Sequence, residues 1–183
     1  MNMKKSIILL ITVVLLICGS IFGYRNVNAK YPAANVKEAK VGENLEYQKG
    51  ILISADKKEI LSDEAADKIY EMLGEEPVFD TRIFDITITL SNTTEEPQEV
   101  VLTDIYLETT GAANGIALSM TDSKSGYYDS PRVTLAAGEE KQVTFPYTMS
   151  RSFFSNKQWE NIEKRQFWLT FSSYPVKTIL RLE

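Results

Sequence analysis

The sequence predicts a mainly β protein, an antiparallel sandwich of seven or eight strands with two short helices, preceded by one apolar helix at the N-terminus. Short stretches of alternating apolar and polar residues recur along the chain, and turn-forming residues separate them. Only two stretches after residue 40 have the spacing of an amphipathic helix, so strands and helices do not alternate as they do around a parallel sheet. These observations favour two packed antiparallel sheets.

The first segment is predicted to be a membrane-targeting helix. Residues 7–24 carry no charge, Lys4 and Lys5 precede them, and Arg25 follows. Because positive charge ahead of an apolar helix stays on the cytoplasmic side, the chain after Arg25 is predicted to lie outside the cell. Residues 1–25 are therefore interpreted as a signal peptide or a transmembrane anchor.

Three fates of this segment are open. A helix over residues 7–24 is about 27 Å long, near the lower limit for a retained anchor that crosses the hydrocarbon core. Residues 27–29 have the small-x-small pattern that signal peptidase recognises, so cleavage after Ala29 is equally consistent with the sequence. Lipidation of Cys18 is the third route, but a lipoprotein needs a small residue before the cysteine, and Ile17 stands there.

The exported part is predicted to be a tether over residues 26–40, which are largely polar, and one domain over residues 41–183. A first strand over Gly50–Ala55 places three apolar side chains on one face: Ile51, Ile53 and Ala55. The clearest strand, Phe84–Leu90, does the same with four: Phe84, Ile86, Ile88 and Leu90. Each strand should therefore have one buried face and one wet face.

Turn-forming residues predict three hairpins. In the first, residues 91–97 connect Phe84–Leu90 to a strand that contains Val100 and Leu102 and runs to about Leu107. In the second, residues 136–140 separate two further strands, Val133–Leu135 and Val143–Met149. The third joins the last two strands across Tyr174 and Pro175, namely Phe167–Phe171 and Val176–Leu182.

The first amphipathic helix is predicted over Asp63–Leu73. Ser62 can cap its N-terminus, and Gly74 stands where the helix should stop. Its apolar side is interpreted as closing an open end of the sandwich.

The second helix is predicted to begin after Ser155 and to run to about Lys164. Gln158 completes a capping box with Ser155, and Phe154 and Trp159 have the spacing of a hydrophobic staple. This helix is also interpreted as a plug for the sandwich rather than as a recognition surface.

Composition removes several classes of function. The chain has no histidine, and its single cysteine, Cys18, lies in the targeting segment. Catalytic triads that use histidine, and the common zinc ligand sets, are therefore excluded, and the domain has no disulfide. We expect no catalytic residue, no metal and no cofactor. Without residues 1–29 the chain has 17 basic and 25 acidic residues, a net charge of −8, which disfavours nucleic acid as a partner.

Three further segments carry a resemblance. These are Val41–Glu43, the strand Phe84–Leu90 with its turn at residues 91–97, and Leu135–Glu139 ahead of Val143–Phe145. Together they resemble an uncharacterised family of secreted or membrane-anchored, immunoglobulin-like β-sandwich domains of Gram-positive bacteria, a domain of unknown function related in fold to secreted mycobacterial antigens. The resemblance spans about residues 40–183. It implies an immunoglobulin-like sandwich at the cell envelope and supplies no catalytic residue.

Aromatic residues near the predicted loops and helix ends are the candidates for partner contact. Tyr127, Tyr128 and Trp159 are the first three, and Phe153, Phe154 and Trp168 belong to the same class. The alternative for all of them is a structural role in the core or the staple.

Two weaker patterns concern metal binding and glycoside hydrolysis. The loop Asp122–Asp129 offers oxygens to calcium, but Lys124 interrupts it and the dense acidic alternation of a calcium loop is missing. Pairs of adjacent acids, such as Glu75 and Glu76, are interpreted as solvated surface rather than as a catalytic carboxylate pair.

Two function classes follow. The leading hypothesis is a non-enzymatic extracytoplasmic protein of the cell envelope, tethered to the membrane, that binds an unknown surface or secreted partner. The alternative is an immunity or sensor accessory protein that sequesters a cationic antimicrobial peptide or works beside a membrane transporter. Attraction of a cationic peptide to the net charge of −8 supports the alternative.

Overall fold

The computed structural model describes residues 3–74, 76, 79–121 and 126–183. Helix α1 spans Met3–Lys30, α2 spans Asp63–Leu73 and α3 spans Asn156–Glu160. The strands are β1 Asn35–Ala39, β2 Leu45–Gln48, β3 Ile51–Ile60, β4 Thr81–Asn92, β5 Gln98–Val101, β6 Tyr106–Thr109, β7 Ala112–Gly115, β8 Arg132–Leu135, β9 Glu140–Ser150, β10 Trp168–Ser172 and β11 Val176–Arg181. These eleven strands exceed the predicted seven or eight because several have only four or five residues, too few for a clear alternation pattern.

The domain is the predicted antiparallel sandwich. One sheet has the order β1-β11-β10-β6-β7, a second has the order β2-β3-β4-β9, and β5 and β8 form a separate pair. Their inner faces share one core, in which the Phe84 and Phe167 rings lie 4.7 Å apart. The apolar residues predicted on the inner faces of β3 and β4 are all buried: Ile51, Ile53, Ala55, Phe84, Ile86, Ile88 and Leu90.

Two of the three predicted hairpins are wrong, although their turns are correctly placed. β4 pairs with β3 and β9, and β5 pairs with β8, so the strands on either side of each turn belong to different sheets. The physical reason is length, because β4 and β9 match over Thr81–Ser91 and Glu140–Ser150, which no four-residue strand can do. The third hairpin, β10 with β11, is confirmed.

The predicted tether over residues 26–40 differs from the structure at both ends. α1 continues to Lys30, and β1 lies at the edge of the five-stranded sheet, with Ala39 buried in the core. Arg181 of β11 makes an ion pair with Glu38 of β1 at 2.8 Å. A short edge strand that carries charges has the composition of a linker, which explains the prediction. The connecting segment is residues 31–34.

Both predicted helices of the domain are present. Ser62 Oγ accepts a hydrogen bond from Ala65 N, and Gly74 ends α2 in the left-handed conformation at φ 68°. α2 packs through Ile69 over Ile83, on the face of the four-stranded sheet that points away from the main core.

The predicted capping box at Ser155 is also present. Gln158 Oε1 accepts hydrogen bonds from Ser155 N and Oγ, both at 2.9 Å. α3 has only five residues, and a 3₁₀ turn over Ile162–Lys164 continues the helical segment to its predicted end.

Candidate binding face

Trp159, one of the three predicted partner contacts, is a core residue. Its side chain is only 8% exposed and lies in the main core. The Phe154 ring lies 5.9 Å from it, and the Arg82 guanidinium stands 5.7 Å from its ring centroid. The hydrophobic staple that the sequence predicts is the reason for this burial, because it turns Trp159 inward.

Tyr128 is also buried, and Tyr127 alone of the three is exposed. The Tyr128 hydroxyl donates a hydrogen bond to Asp85 Oδ1 at 2.6 Å, beside the small core under α2. Tyr127 stacks edge-on against it at 4.7 Å and remains 54% exposed. Burial raises the pKa of Tyr128, and the hydrogen bond to Asp85 raises it further. The structure therefore brings these two residues together and places Trp159 elsewhere.

Two of the acidic candidates, Asp129 and Asp63, have structural partners. Asp129 Oδ2 accepts a hydrogen bond from Thr144 N at 2.8 Å, and Asp63 is paired with Arg82. Asp122–Ser125 of the calcium candidate, and Glu75 of one acidic pair, lie outside the described residues. Within the described part of the chain, no group of three or more cysteine, histidine or acidic residues could hold a metal ion.

The outer face of the five-stranded sheet carries a different set of side chains. Leu107, Leu169 and Leu180 point into the core, so their neighbours along the same strands point outward. Strand register places Glu108, Trp168 and Arg181 side by side across β6, β10 and β11. We define the Trp168 face by seven residues: Glu38, Tyr106, Glu108, Trp168, Thr170, Lys177 and Arg181.

Two cations hold the Trp168 ring. The Lys177 ammonium lies 5.6 Å and the Arg181 guanidinium 5.2 Å from the ring centroid, both in range of a cation–π contact. Each cation also has a carboxylate, since Lys177 pairs with Glu108 at 2.6 Å and Arg181 with Glu38 at 2.8 Å. The Trp168 face therefore carries two acidic and two basic side chains, and its net charge is zero.

Glu108 is the most heavily bonded carboxylate of this face. Its Oε1 accepts a hydrogen bond from Lys177 and its Oε2 accepts one from Thr170. Burial by itself raises the pKa of Glu108, but the hydrogen bonds from Lys177 and Thr170 outweigh it and hold the pKa below its usual value. The carboxylate is thus ionised and fixed in place at neutral pH.

Two clefts are lined in part by residues of the Trp168 face. One has a volume of about 310 Å³ and is lined by Tyr106, Glu108, Ala113, Thr170, Ser173 and Lys177. The other has a volume of about 430 Å³ and is lined by Glu38, Lys40, Val41, Gln166, Arg181 and Glu183. Both volumes fall within the range of about 300–1,000 Å³ that is typical of small-molecule sites.

Sequence reasoning included Trp168 among its aromatic candidates but missed the residues around it. One signal was available: if Phe167, Leu169 and Phe171 point inward, then Trp168 points to the opposite, outer face of the same strand. Glu108 could not be found in this way, because its place beside Trp168 depends on β6 pairing with β10.

Comparison with known proteins shows the family of the chain. Residues 32–178 match the family described as Domain of unknown function (DUF5028), and the chain belongs to it. The resemblance noted in the sequence is thereby confirmed as one to a family of unknown function. A comparison with the curated proteins found no match.

Several solved structures are similar in fold at low sequence identity. An uncharacterized β-sandwich protein from Clostridium difficile 630 is 13% identical with a TM-score of 0.44, over 82% of this chain and 96% of that one. The yjhA protein of Bacillus subtilis is 10% identical with a TM-score of 0.45, and the match covers 79% of this chain and 98% of that one. A candidate lipoprotein of Bacillus subtilis, ycdA, is 9% identical with a TM-score of 0.45, over 79% of this chain and 39% of that one.

Proposed function

We propose that this member of the DUF5028 family is a non-catalytic extracytoplasmic protein that binds a partner through the Trp168 face. It is held at the membrane by α1, or released after cleavage near Ala29. One observation carries the proposal: a tryptophan on the outer side of an open sheet lies within cation–π range of two cations, each of which is itself ion-paired.

Preorganisation is the physical argument for binding at this face. Tryptophan is the residue type that most often dominates binding energy, and fixing its ring before contact lowers the entropy cost of association. Lys177 and Glu108 are both half-buried, with side chains 27% and 24% exposed, so their ion pair is already partly desolvated. The side chains of this surface are therefore already fixed, and they lose little conformational entropy when a partner binds.

The location rests on α1. The segment Ser6–Lys30 is long and apolar enough to cross a membrane. The absence of histidine, and the position of Cys18 within α1, support a role without chemistry.

Site-specific photo-crosslinking in intact cells tests the proposal. A benzophenone amino acid replaces Tyr106 on the Trp168 face, and in a matched variant it replaces Tyr127, an exposed tyrosine beside the other sheet. We expect an adduct after irradiation from position 106 and none from position 127. An adduct from position 127 alone would move the site to the tyrosine that the sequence favoured, and no adduct from position 106 would contradict the proposal.

We propose as a second candidate that the domain sequesters a cationic antimicrobial peptide, by itself or beside a membrane transporter. The supporting observation is the exposed side of α2, where four acidic residues stand against one lysine: Asp63, Glu64, Asp67 and Glu71 against Lys68. Together with the net charge of −8 after residue 29, this surface would attract a positive ligand.

Ionic strength tests the second candidate. Since the Debye length falls from about 10 Å at 0.1 M salt to about 3 Å at 1 M, binding of a lysine-rich peptide should weaken by about tenfold or more. Calorimetric titration at both salt concentrations measures this, and Asp67→Asn combined with Glu71→Gln should weaken binding at low salt. Binding that is independent of salt would contradict an electrostatic mechanism.

A further inference from the structure

Tyr106 forms an aromatic platform at the edge of the Trp168 face. It stands directly opposite Gly115 in the β6–β7 pair, and a Cβ built on Gly115 would lie 3.8 Å from the Tyr106 ring. One side of the ring therefore covers the glycine, as aromatic residues often do beside a glycine in a sheet edge. The residue is nevertheless 48% exposed, so packing against Gly115 leaves much of the ring available to a ligand.

The cleft of about 310 Å³ beside this ring combines apolar surface with fixed polar groups. Tyr106 and Ala113 line it with an aromatic ring and a methyl group, while Glu108 and Lys177 contribute an acceptor and a donor. The 2.6 Å ion pair between Glu108 and Lys177 cancels their charges, and both groups retain capacity for further hydrogen bonds. The hydroxyls of Thr170 and Ser173 complete the lining.

This chemistry suits an uncharged ligand with an apolar face and a polar rim. A sugar ring whose substituents are equatorial has both, because its C–H bonds form a flat face and its hydroxyls project around the edge. An aromatic ring packs on such a face, and charged groups make the stronger hydrogen bonds to the hydroxyls. An anionic ligand would instead meet the repulsion of a domain with a net charge of −8.

We propose that the cleft beside Tyr106 binds a neutral sugar unit of a β-linked glycan. The proposal rests on the proposed function, since it assigns a ligand class to part of the Trp168 face. The Tyr106 ring stacks on the C–H face of the sugar, and Glu108 and Lys177 bind its hydroxyls.

Calorimetric titration of the full chain in lipid nanodiscs tests this proposal, because nanodiscs avoid detergents with sugar head groups. The probe is chitotetraose, four β-1,4-linked N-acetylglucosamine units, and we expect a dissociation constant of about 1 mM or tighter. Tyr106→Ala should weaken binding by about tenfold or more, whereas Tyr106→Phe, which keeps the ring, should stay within about threefold. Tyr127→Ala, on the other side of the domain, should leave binding unchanged.

A second variant guards against loss of folding. Ala113→Phe changes an exposed residue of the edge strand β7 and fills the cleft while leaving Tyr106 itself unsubstituted, so it should abolish binding while the thermal unfolding midpoint is retained. The proposal is overturned if the wild-type chain gives no binding with chitotetraose at about 10 mM, or if folded Tyr106→Ala and Ala113→Phe bind it like wild type. If those outcomes are accompanied by a crosslinked adduct from position 106, the partner-binding proposal is retained and only the assignment of a sugar as ligand is rejected.

Discussion

The side-chain amide of Asn92 donates a hydrogen bond to the carbonyl oxygen of Ala136 at 2.8 Å, and so joins two turns that lie far apart in sequence. The same amide donates to the Glu96 carbonyl at 2.8 Å, and Asn92 Oδ1 accepts a hydrogen bond from Thr94 N at 3.0 Å. Asn92 is only 2% exposed. The two turns that the sequence assigned to separate hairpins therefore share one buried side chain, at the end of β4 where β4 pairs with β9 and near the end of the β5–β8 pair.

Replacing Asn92 should be among the costly polar substitutions in this domain. Asn92→Ala leaves a cavity at a buried position and removes both the donor to the carbonyl groups of Glu96 and Ala136 and the acceptor from Thr94, so we expect a loss of about 2–4 kcal/mol in the free energy of unfolding. Asn161→Ala is the matched control, because the two hydrogen bonds of its side chain, to the Lys157 carbonyl and from the Lys164 ammonium, are both exposed. That change should cost about 1 kcal/mol or less.

Urea unfolding followed by circular dichroism measures both variants. Equal losses for the two asparagines would show that the bonds between the turns add nothing beyond an ordinary surface hydrogen bond.

The alternation along β4 makes a second prediction. Ile88 is 1% exposed in the main core, whereas Thr87 faces outward and its hydroxyl pairs with that of Thr144 at 2.9 Å. Ile88→Ala should cost about 2–5 kcal/mol through lost burial and the cavity left behind, and Thr87→Ala about 1 kcal/mol. The free energies of unfolding from denaturant titration compare the two directly, and losses of equal size would contradict the assignment of faces.

These two predictions mark how much of the fold the sequence determines. Alternation within one strand shows which side chains are buried, as it did for Ile86 and Ile88, because the two faces of a strand follow from its own geometry. It does not show which strand lies alongside. That choice depends on matching long strands across the chain and on contacts such as the one between Asn92 and Ala136, which no local pattern contains.

The same limit applies to the candidate binding face. A tryptophan on the wet side of a strand is visible in the sequence at Trp168, but Lys177 and Glu108 are brought to it by β11 and β6. Local capping signals gave the opposite error at Trp159. They placed the helix correctly, yet the staple that they describe also buries the ring that we had expected to contact a partner.

Two carboxylates on opposite sides of the sandwich should give opposite dependences of stability on pH. Burial raises the pKa of Asp85 above 3.8, and the hydrogen bond from Tyr128 opposes this only in part. The folded protein therefore binds this proton more tightly than the unfolded chain, so stability falls as the pH rises from 3.8 through the folded pKa. The lowered pKa of Glu108 has the opposite effect. It stabilises the folded protein above pH 4.5, and this stability is lost as the pH falls through the pKa of the folded state.

Neutral replacements separate these two contributions. Asp85→Asn keeps an acceptor for Tyr128. The difference in stability between this variant and wild type should shift in favour of the variant as the pH rises from low to neutral. Glu108→Gln should be less stable than wild type at neutral pH, and the difference should shrink at low pH. Urea midpoints between roughly pH 3 and pH 8 measure both. Curves that change in the same direction for the two variants would contradict the assigned pKa shifts.

The N-terminal segment makes the last prediction. Lys4 and Lys5 precede an apolar helix, so residues 31–183 should be digested when protease is added to intact protoplasts. Mass spectrometry of the mature chain distinguishes the three fates: full length for a retained anchor, loss of residues 1–29 for cleavage after Ala29, and a lipid-bearing N-terminus for modification at Cys18. Cleavage after Ala29 would leave all the described strands intact, because β1 begins at Asn35. The match to the family also begins after the cleavage site, at residue 32. Protection of the domain from the protease would refute export under all three fates.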